Sequence, residues 1–151
     1  MNNYPNNWSS IKSEFEVDGS LRDIYIYNVD AELWDIFINL VKRSQYKVGF
    51  TYNGDEEIDI PESYASIVKL QESGSTILNI FLAPSFQVNC HFFLEKELEL
   101  DIHPKDVASE DSFILLFDFL SWLSSSLQRE VLLCHENSPE KEIMRVESHR
   151  V

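Results

Sequence analysis

Between Phe113 and Leu123 only Asp118 and Ser121 are polar. Phe113, Leu116, Phe117, Leu120, Leu123 and Leu127 recur at the spacing of one helical stripe, and Ile114, Leu115, Phe119 and Trp122 widen it onto the flanks. A helix so apolar must be covered on most sides. The run is shorter than the roughly 20 apolar residues a bilayer span requires, so the pattern predicts a buried core helix over 110–127. Ser109 is its expected cap, with Glu110 and Asp111 behind it. A second helix is predicted over 31–44. Asp30 stands at its cap, Glu32 in its first turn and Lys42 and Arg43 in its last, an order that suits the helix dipole. Leu33, Phe37, Leu40 and Val41 form its core stripe, beside Trp34 and Ile38.

The remaining segments alternate or form short apolar runs, the signature of strands. Ile11–Val17 and Leu21–Tyr27 flank Asp18-Gly19-Ser20 and read as a hairpin, with Ile24 and Ile26 on one side and Tyr25 and Tyr27 on the other. Tyr46–Tyr52 and Glu57–Ile60 flank Asn53-Gly54, and Ser66–Gln71 and Thr76–Leu82 flank Glu72-Ser73-Gly74-Ser75. Phe86–Leu94 and Glu97–His103 follow, and Arg129–Cys134 and Ile143–Val146 close the chain around a turn at 136–140. Residues 23–60 and 98–146 share one order: strand, acidic cap, Trp-bearing helix, strand, Asn-containing turn, strand. The elements together predict an α+β fold, a largely antiparallel curved sheet with two main helices packed on one face. A length of 151 residues fits a single domain, with a loose Asn-rich arm over 1–10 and a frayed tail over 147–151.

Charge sharpens this picture. Twelve Lys and Arg against 26 Asp and Glu give −14, a surface that repels nucleic acid and favours encounter with a basic partner. The amino terminus shows no basic stretch followed by an apolar one, so no secretory leader and a cytoplasmic location are expected. No segment reads as a membrane span. Cys90 and Cys134 sit in apolar strand-like runs and read as buried, reduced thiols.

Motifs for chemistry are missing where they are sought. Cys90-His91 and Cys134-His135 do not have zinc-site spacing, and neighbours on a strand point to opposite faces, so no metal or cofactor is expected. His135-Glu136-Asn137-Ser138-Pro139 begins like a metalloprotease helix but places Pro139 where the second histidine belongs. Gly19, Gly49, Gly54 and Gly74 are isolated, so no phosphate-cradling loop is formed. The expectation is a protein that is not an enzyme.

The acidic residues carry more information. Glu95, Glu97, Glu99 and Asp101 alternate with Lys96, Leu98, Leu100 and Ile102, which on a strand places four carboxylates on one face. Asp55, Glu56, Glu57, Asp59 and Glu62 make a second cluster, with Ile58 and Ile60 turned inward. Few Lys or Arg accompany either. These nine residues are the expected partner-binding positions, and nothing around them predicts an apolar pocket that would raise the pKa of one. An aromatic patch around Tyr25, Tyr27 and Trp8 is the other candidate surface.

With its acidic strand faces LEKELELDIHP and NGDEEIDIPE, and its closing block REVLLCHENSPEKEIMRV after an apolar helix, the chain resembles the small acidic immunity proteins of bacterial polymorphic and contact-dependent toxin systems. The resemblance implies a non-catalytic inhibitor that binds a cognate toxin C-terminal domain, often a basic nuclease, and blocks its active site. An adaptor or regulatory domain for another basic protein is the alternative. A small enzyme or ligand-binding domain stands third.

Overall fold

A computed structural model describes residues 7–54 and 56–147. Helix α1 (Trp8–Ile11) runs into a 3-10 turn (Lys12–Phe15), followed by β1 (Arg22–Tyr27), α2 (Ala31–Arg43), β2 (Lys47–Tyr52) and β3 (Glu56–Ile58). Then come α3 (Tyr64–Gln71), β4 (Thr76–Ala83), β5 (Phe86–Cys90), β6 (Glu97–Ile102), a 3-10 turn (Pro104–Asp106), α4 (Glu110–Leu127), β7 (Val131–His135) and β8 (Ser138–Val146). All eight strands join one open, curved antiparallel sheet in the order β3-β2-β4-β5-β6-β1-β7-β8. The fold is α+β, as the hydrophobic pattern predicts.

The two long helices lie where their stripes place them. Asp30 caps α2 by accepting the Leu33 N–H at 2.8 Å, and Ser109 and Ser112 close a reciprocal box at the start of α4. Trp34, Phe37, Leu120 and Leu123 are fully buried and Phe117 nearly so. Ile24 and Ile26 of β1, Leu98, Leu100 and Ile102 of β6, and Leu78 and Ile80 of β4 meet the helices from the sheet. Among the described residues, the opposite face of the sheet carries no helix.

Three sequence expectations are corrected. Ile11–Val17 is helix and turn instead of strand. Trp8, Ile11 and Phe15 share a helical face, and Trp8 packs on Phe15 and Phe113 at 6.3 and 5.7 Å between ring centres. Arg22, 1% exposed, holds this segment by donating to the carbonyls of Glu14 at 2.7 Å and Glu16 at 3.0 Å. The turn at Gly19 therefore joins a helical segment to β1, and no hairpin forms there. The loose arm expected over 1–10 lies outside the described residues as far as residue 6, and of its remainder Trp8 is partly buried while Asn7, Ser9 and Ser10 are exposed. Of the tail expected over 147–151, only Glu147 is described.

Ser66–Gln71 is also helical. Ser63 accepts the Ser66 N–H at 3.1 Å, and Asp35 of α2 accepts the Tyr64 N–H at 2.8 Å. Tyr64 and Ile67 turn inward, with Tyr64 stacked on Trp34 at 5.0 Å. Tertiary packing on α2 overrides the strand preference of Ile67 and Val68.

The third correction concerns strand lengths. β5 stops at Cys90, β3 is only Glu56–Ile58, and β8 is longer than Ile143–Val146, with register shifts beside Cys134. The two similar halves, β1-α2-β2-β3 and β6-α4-β7-β8, each end in a hairpin at one edge of the sheet. They are not equivalent, since the first crosses β6, β5 and β4 and the second crosses β1 alone.

Leu120 sits where α4 meets the sheet and has no route to solvent, so the cavity left by Leu120→Ala can collapse only partly. The substitution is expected to cost about 2–5 kcal/mol, read as a lower urea midpoint at unchanged slope. A loss below about 1 kcal/mol would mean that the site is not close-packed.

Candidate functional site: the uncovered face of the sheet

Because side chains alternate, every second residue of the central strands faces away from the helices. On β6 these are Glu97, Glu99 and Asp101, and on β1 they are Tyr27, Tyr25 and Asp23, paired in register as Tyr27↔Glu97, Tyr25↔Glu99 and Asp23↔Asp101. On the other side of β6, Asn89 of β5 pairs with Asp101. His91 follows Cys90, where the pairing ends, and its ring reaches Asp101. The carboxylate column is thus the floor of a strip walled by β1 on one side and by the end of β5 on the other.

Both walls are aromatic. Tyr25 and Tyr27 stack at 5.7 Å and 7° from parallel, and His91 and Phe93 stack at 5.0 Å and 9°. Phe93 is 62% exposed and Leu94 56%, although both are large and apolar. Their exposure is built into the β5–β6 connection. Phe92 adopts φ +61°, a left-handed conformation that is rare for a bulky residue, and its ring is buried against Trp34 and Phe50 at 5.2 and 6.2 Å. Gln71 Nε2 donates to the carbonyls of His91 and Phe92 at 3.0 and 3.1 Å, and Trp34 Nε1 donates to the Glu95 carbonyl at 2.8 Å. A loop pinned from the core at both ends leaves Phe93 and Leu94 no apolar surface to fold onto. Strain of this kind persists only where the surroundings over-determine it.

A hydrogen-bond ladder crosses the lower part of the face. Asn79 Nδ2 and Gln87 Nε2 donate to Asn89 Oδ1 at 2.9 and 2.6 Å, and Asn89 Nδ2 donates to Asp101 Oδ1 at 3.1 Å. His91 Nε2 lies 3.2 Å from Asp101 Oδ2. Next to it, Asp23 Oδ2 accepts the Tyr25 hydroxyl at 3.0 Å and the Asn137 N–H at 2.8 Å. Asp23 and Asp101 are 3% and 6% exposed, so two buried carboxylates stand side by side with separate sets of donors.

Burial and mutual repulsion act on the column. Desolvation, then the charges of Asp23, Glu97 and Asp101, push Glu99 up to about 7, against a smaller opposing effect of His91. Asp23 is raised too, chiefly by burial. His91 is held above the usual imidazole range, first by its hydrogen bond to Asp101. Among the described residues, the only ion pair that reaches Glu97, Glu99 or Asp101 is that of His91. The alternating pattern does not predict this rise at Glu99, whose chief cause is burial.

The nine predicted positions separate into distinct places. Glu97, Glu99 and Asp101 stand on one strand face, whereas Glu95 belongs to the preceding loop and is exposed. Asp55 lies outside the described residues. Glu56, Glu57, Asp59 and Glu62 are exposed at the β3 edge, where Glu57, Asp59 and Glu62 border an open groove with Lys42, Val48 and Phe50. Three strands, β2, β4 and β5, separate the two clusters, roughly 19 Å at the usual strand spacing. They are not one patch. Of the aromatic candidates, Tyr25 and Tyr27 belong to the uncovered face and Trp8 packs into the core on the other side.

Sequence reasoning passed over Asp23, Asn79, Asn89, His91 and Phe93 as site residues. A signal existed in TILNIFL and FQVNCHF, where Asn79, Gln87, Asn89 and His91 interrupt apolar strands at every second position. Cys90 points into the core, and burial drives its thiol upward. Cys134, also buried, faces the other way beside Tyr25 and Leu132 and is raised to about 11 by burial, so both thiols are inert at neutral pH. Among the described residues, no three His, Cys, Asp or Glu side chains converge on a point where a metal ion would sit. Among the described residues, no helix is long and apolar enough to cross a membrane.

Comparison with protein families, with characterised proteins and with solved structures returned no match.

The pH response of this face has a definite sign. Glu99 and Asp23 bind protons more tightly folded than unfolded, so the native state loses stability as pH rises from the unfolded carboxylate range, about 4, through the folded value near 7 for Glu99. His91 acts in the same direction, its contribution complete below about 6.5 and lost as pH rises through its raised folded value. Thermal melts should therefore show Tm falling between about pH 5 and pH 8. Glu99→Gln should flatten the fall and raise Tm at the alkaline end, while Glu56→Gln at the exposed edge should leave the slope unchanged. Equal slopes for wild type and Glu99→Gln would remove Glu99 as a cause.

Proposed function

We propose that the protein is a non-catalytic inhibitor that binds a basic protein through the uncovered sheet face, and that its partner is a cognate bacterial toxin domain of the nuclease type. The observation that carries this reading is the Glu97–Glu99–Asp101 column between two aromatic pairs, with Glu97 and Glu99 partly exposed, Asp101 buried beneath them and His91 as its counter-charge. A nuclease cleft is lined with Lys and Arg that hold phosphates, and such a column presents it with carboxylates at the strand repeat of about 7 Å. Exposed Phe93 and Leu94 and half-buried Tyr27 supply apolar contact beside the charge, the composition of a binding hot spot with a polar rim. The overall charge of −14 adds long-range attraction. The resemblance of the chain to acidic immunity proteins points the same way.

The test is co-expression with any toxin-like domain that a neighbouring gene encodes, followed by stopped-flow association of the purified pair. Growth should be rescued, and the on-rate should reach about 10⁸ M⁻¹s⁻¹ at low salt and fall steeply as salt is added. Glu97→Lys with Glu99→Lys should slow association by at least about tenfold without unfolding the domain, while Glu56→Lys with Glu57→Lys at the far edge should have a smaller effect. Binding without rescue would favour an adaptor for another basic protein. An on-rate indifferent to salt and to both reversals would overturn the reading and leave the acidity as a solubility device.

A further inference from the structure

We infer that the uncovered face selects arginine over lysine: a partner's guanidinium group lies over Glu97 and Glu99 with its plane against Tyr27 on one side or Phe93 on the other. The inference rests on the proposed function for the identity of the partner, but its geometry stands on the face alone. Carboxylates by themselves attract either cation. The walls make the difference, because a planar, weakly hydrated guanidinium stacks on an aromatic face while presenting its edge to a carboxylate in a two-pronged hydrogen bond. A compact, strongly hydrated ammonium gains less from the same walls.

Three features favour this occupant. The Tyr25–Tyr27 and His91–Phe93 pairs are each nearly parallel stacks, so Tyr27 and Phe93 each have one face against the partner ring and one face outside the pair. Tyr27 is in register with Glu97 and Tyr25 with Glu99, so ring and carboxylate stand side by side at the cross-strand distance of about 5 Å. The outer rings, Tyr27 and Phe93, are those that remain accessible, whereas Tyr25 is buried and engaged with Asp23. An arginine entering over Glu97 and Glu99 therefore meets open rings and unpaired carboxylates together. Lower on the strand, Asp101 is already occupied by Asn89 and His91 and offers less.

Capped nona-arginine and nona-lysine peptides carry equal charge and separate the two chemistries. Titrated calorimetrically into the whole protein at about pH 8, where Glu99 is ionised, and about 0.1 M salt, nona-arginine should bind about tenfold tighter. In the Tyr27→Leu, Phe93→Leu double variant that ratio should fall to about one, with nona-lysine affinity changing less than about twofold. Phe93→Leu alone, at a position 62% exposed and so harmless to folding, should already lower the ratio. Glu97→Gln with Glu99→Gln should weaken both peptides. Equal affinity for the two peptides in wild type, or a ratio that survives both leucine substitutions, would overturn the inference. Should the ratio be one while a basic partner still binds through Glu97 and Glu99, arginine selectivity fails and the proposed function stands. Should arginine be preferred while no toxic domain is neutralised, the reverse holds.

Discussion

An eight-stranded sheet that carries its helices on one face must make its other face tolerable to water, and the rest of this structure answers to that constraint. α4 is apolar nearly all round, and together with α2 it absorbs the inward residues of the central strands. The outward residues are left with no layer above them. On β5 and β6 they are amides and carboxylates, on β4 Asn79 stands between Ile77 and Phe81, and on β1 they are two tyrosines and an aspartate. An apolar face of this breadth would be an aggregation surface. The face that replaces it is polar at its centre, where Asp23, Asn89, Glu97, Glu99 and Asp101 gather.

How legible this was in the sequence depended on the range of the signal. The helices were legible because each carries its own periodicity and its own caps, Asp30 for α2 and Ser109 for α4. The α+β class followed from two such helices among short alternating runs. Ser66–Gln71 was misread because its helical state depends on Asp35 and Trp34, residues about thirty positions earlier that cap and stack on it. Ile11–Val17 was misread for the same kind of reason, since Arg22 and Phe113 hold it from other elements. In the site, Glu97, Glu99 and Asp101 are visible as an alternating run. Asp23 and His91 become part of it only through strand order, and strand order is set by crossovers that no local pattern records.

The middle of the face shows how buried charge is accommodated here. Asp23 and Asp101 would repel each other across neighbouring strands, and each has a different remedy. Asp101 is held by an amide chain that begins at Asn79 and by His91, while Asp23 is held by a tyrosine hydroxyl and a backbone N–H from the β7–β8 turn. Because Asn79, Asn89 and Asn137 donate across to a neighbouring strand, the ladder works only in the native register. A one-residue slip would send the polar set into the core and the apolar set to solvent. Polar satisfaction thus fixes the strand alignment as well as tolerating the charge.

The conformation of Phe92 has a consequence for kinetics. A partner that captures Phe93 finds it already held in one orientation, stacked on His91 and carried on a loop bound to Gln71 and Trp34. Most exposed aromatic side chains lose rotameric freedom when they are engaged, at about 0.5–1.5 kcal/mol each. Phe93 has lost much of that freedom on folding, so more of its contact energy remains to prolong the bound state. In the complex proposed above, the residence time would thereby be governed in part from inside the core, by an amide on α3 and an indole on α2 that need never touch the partner.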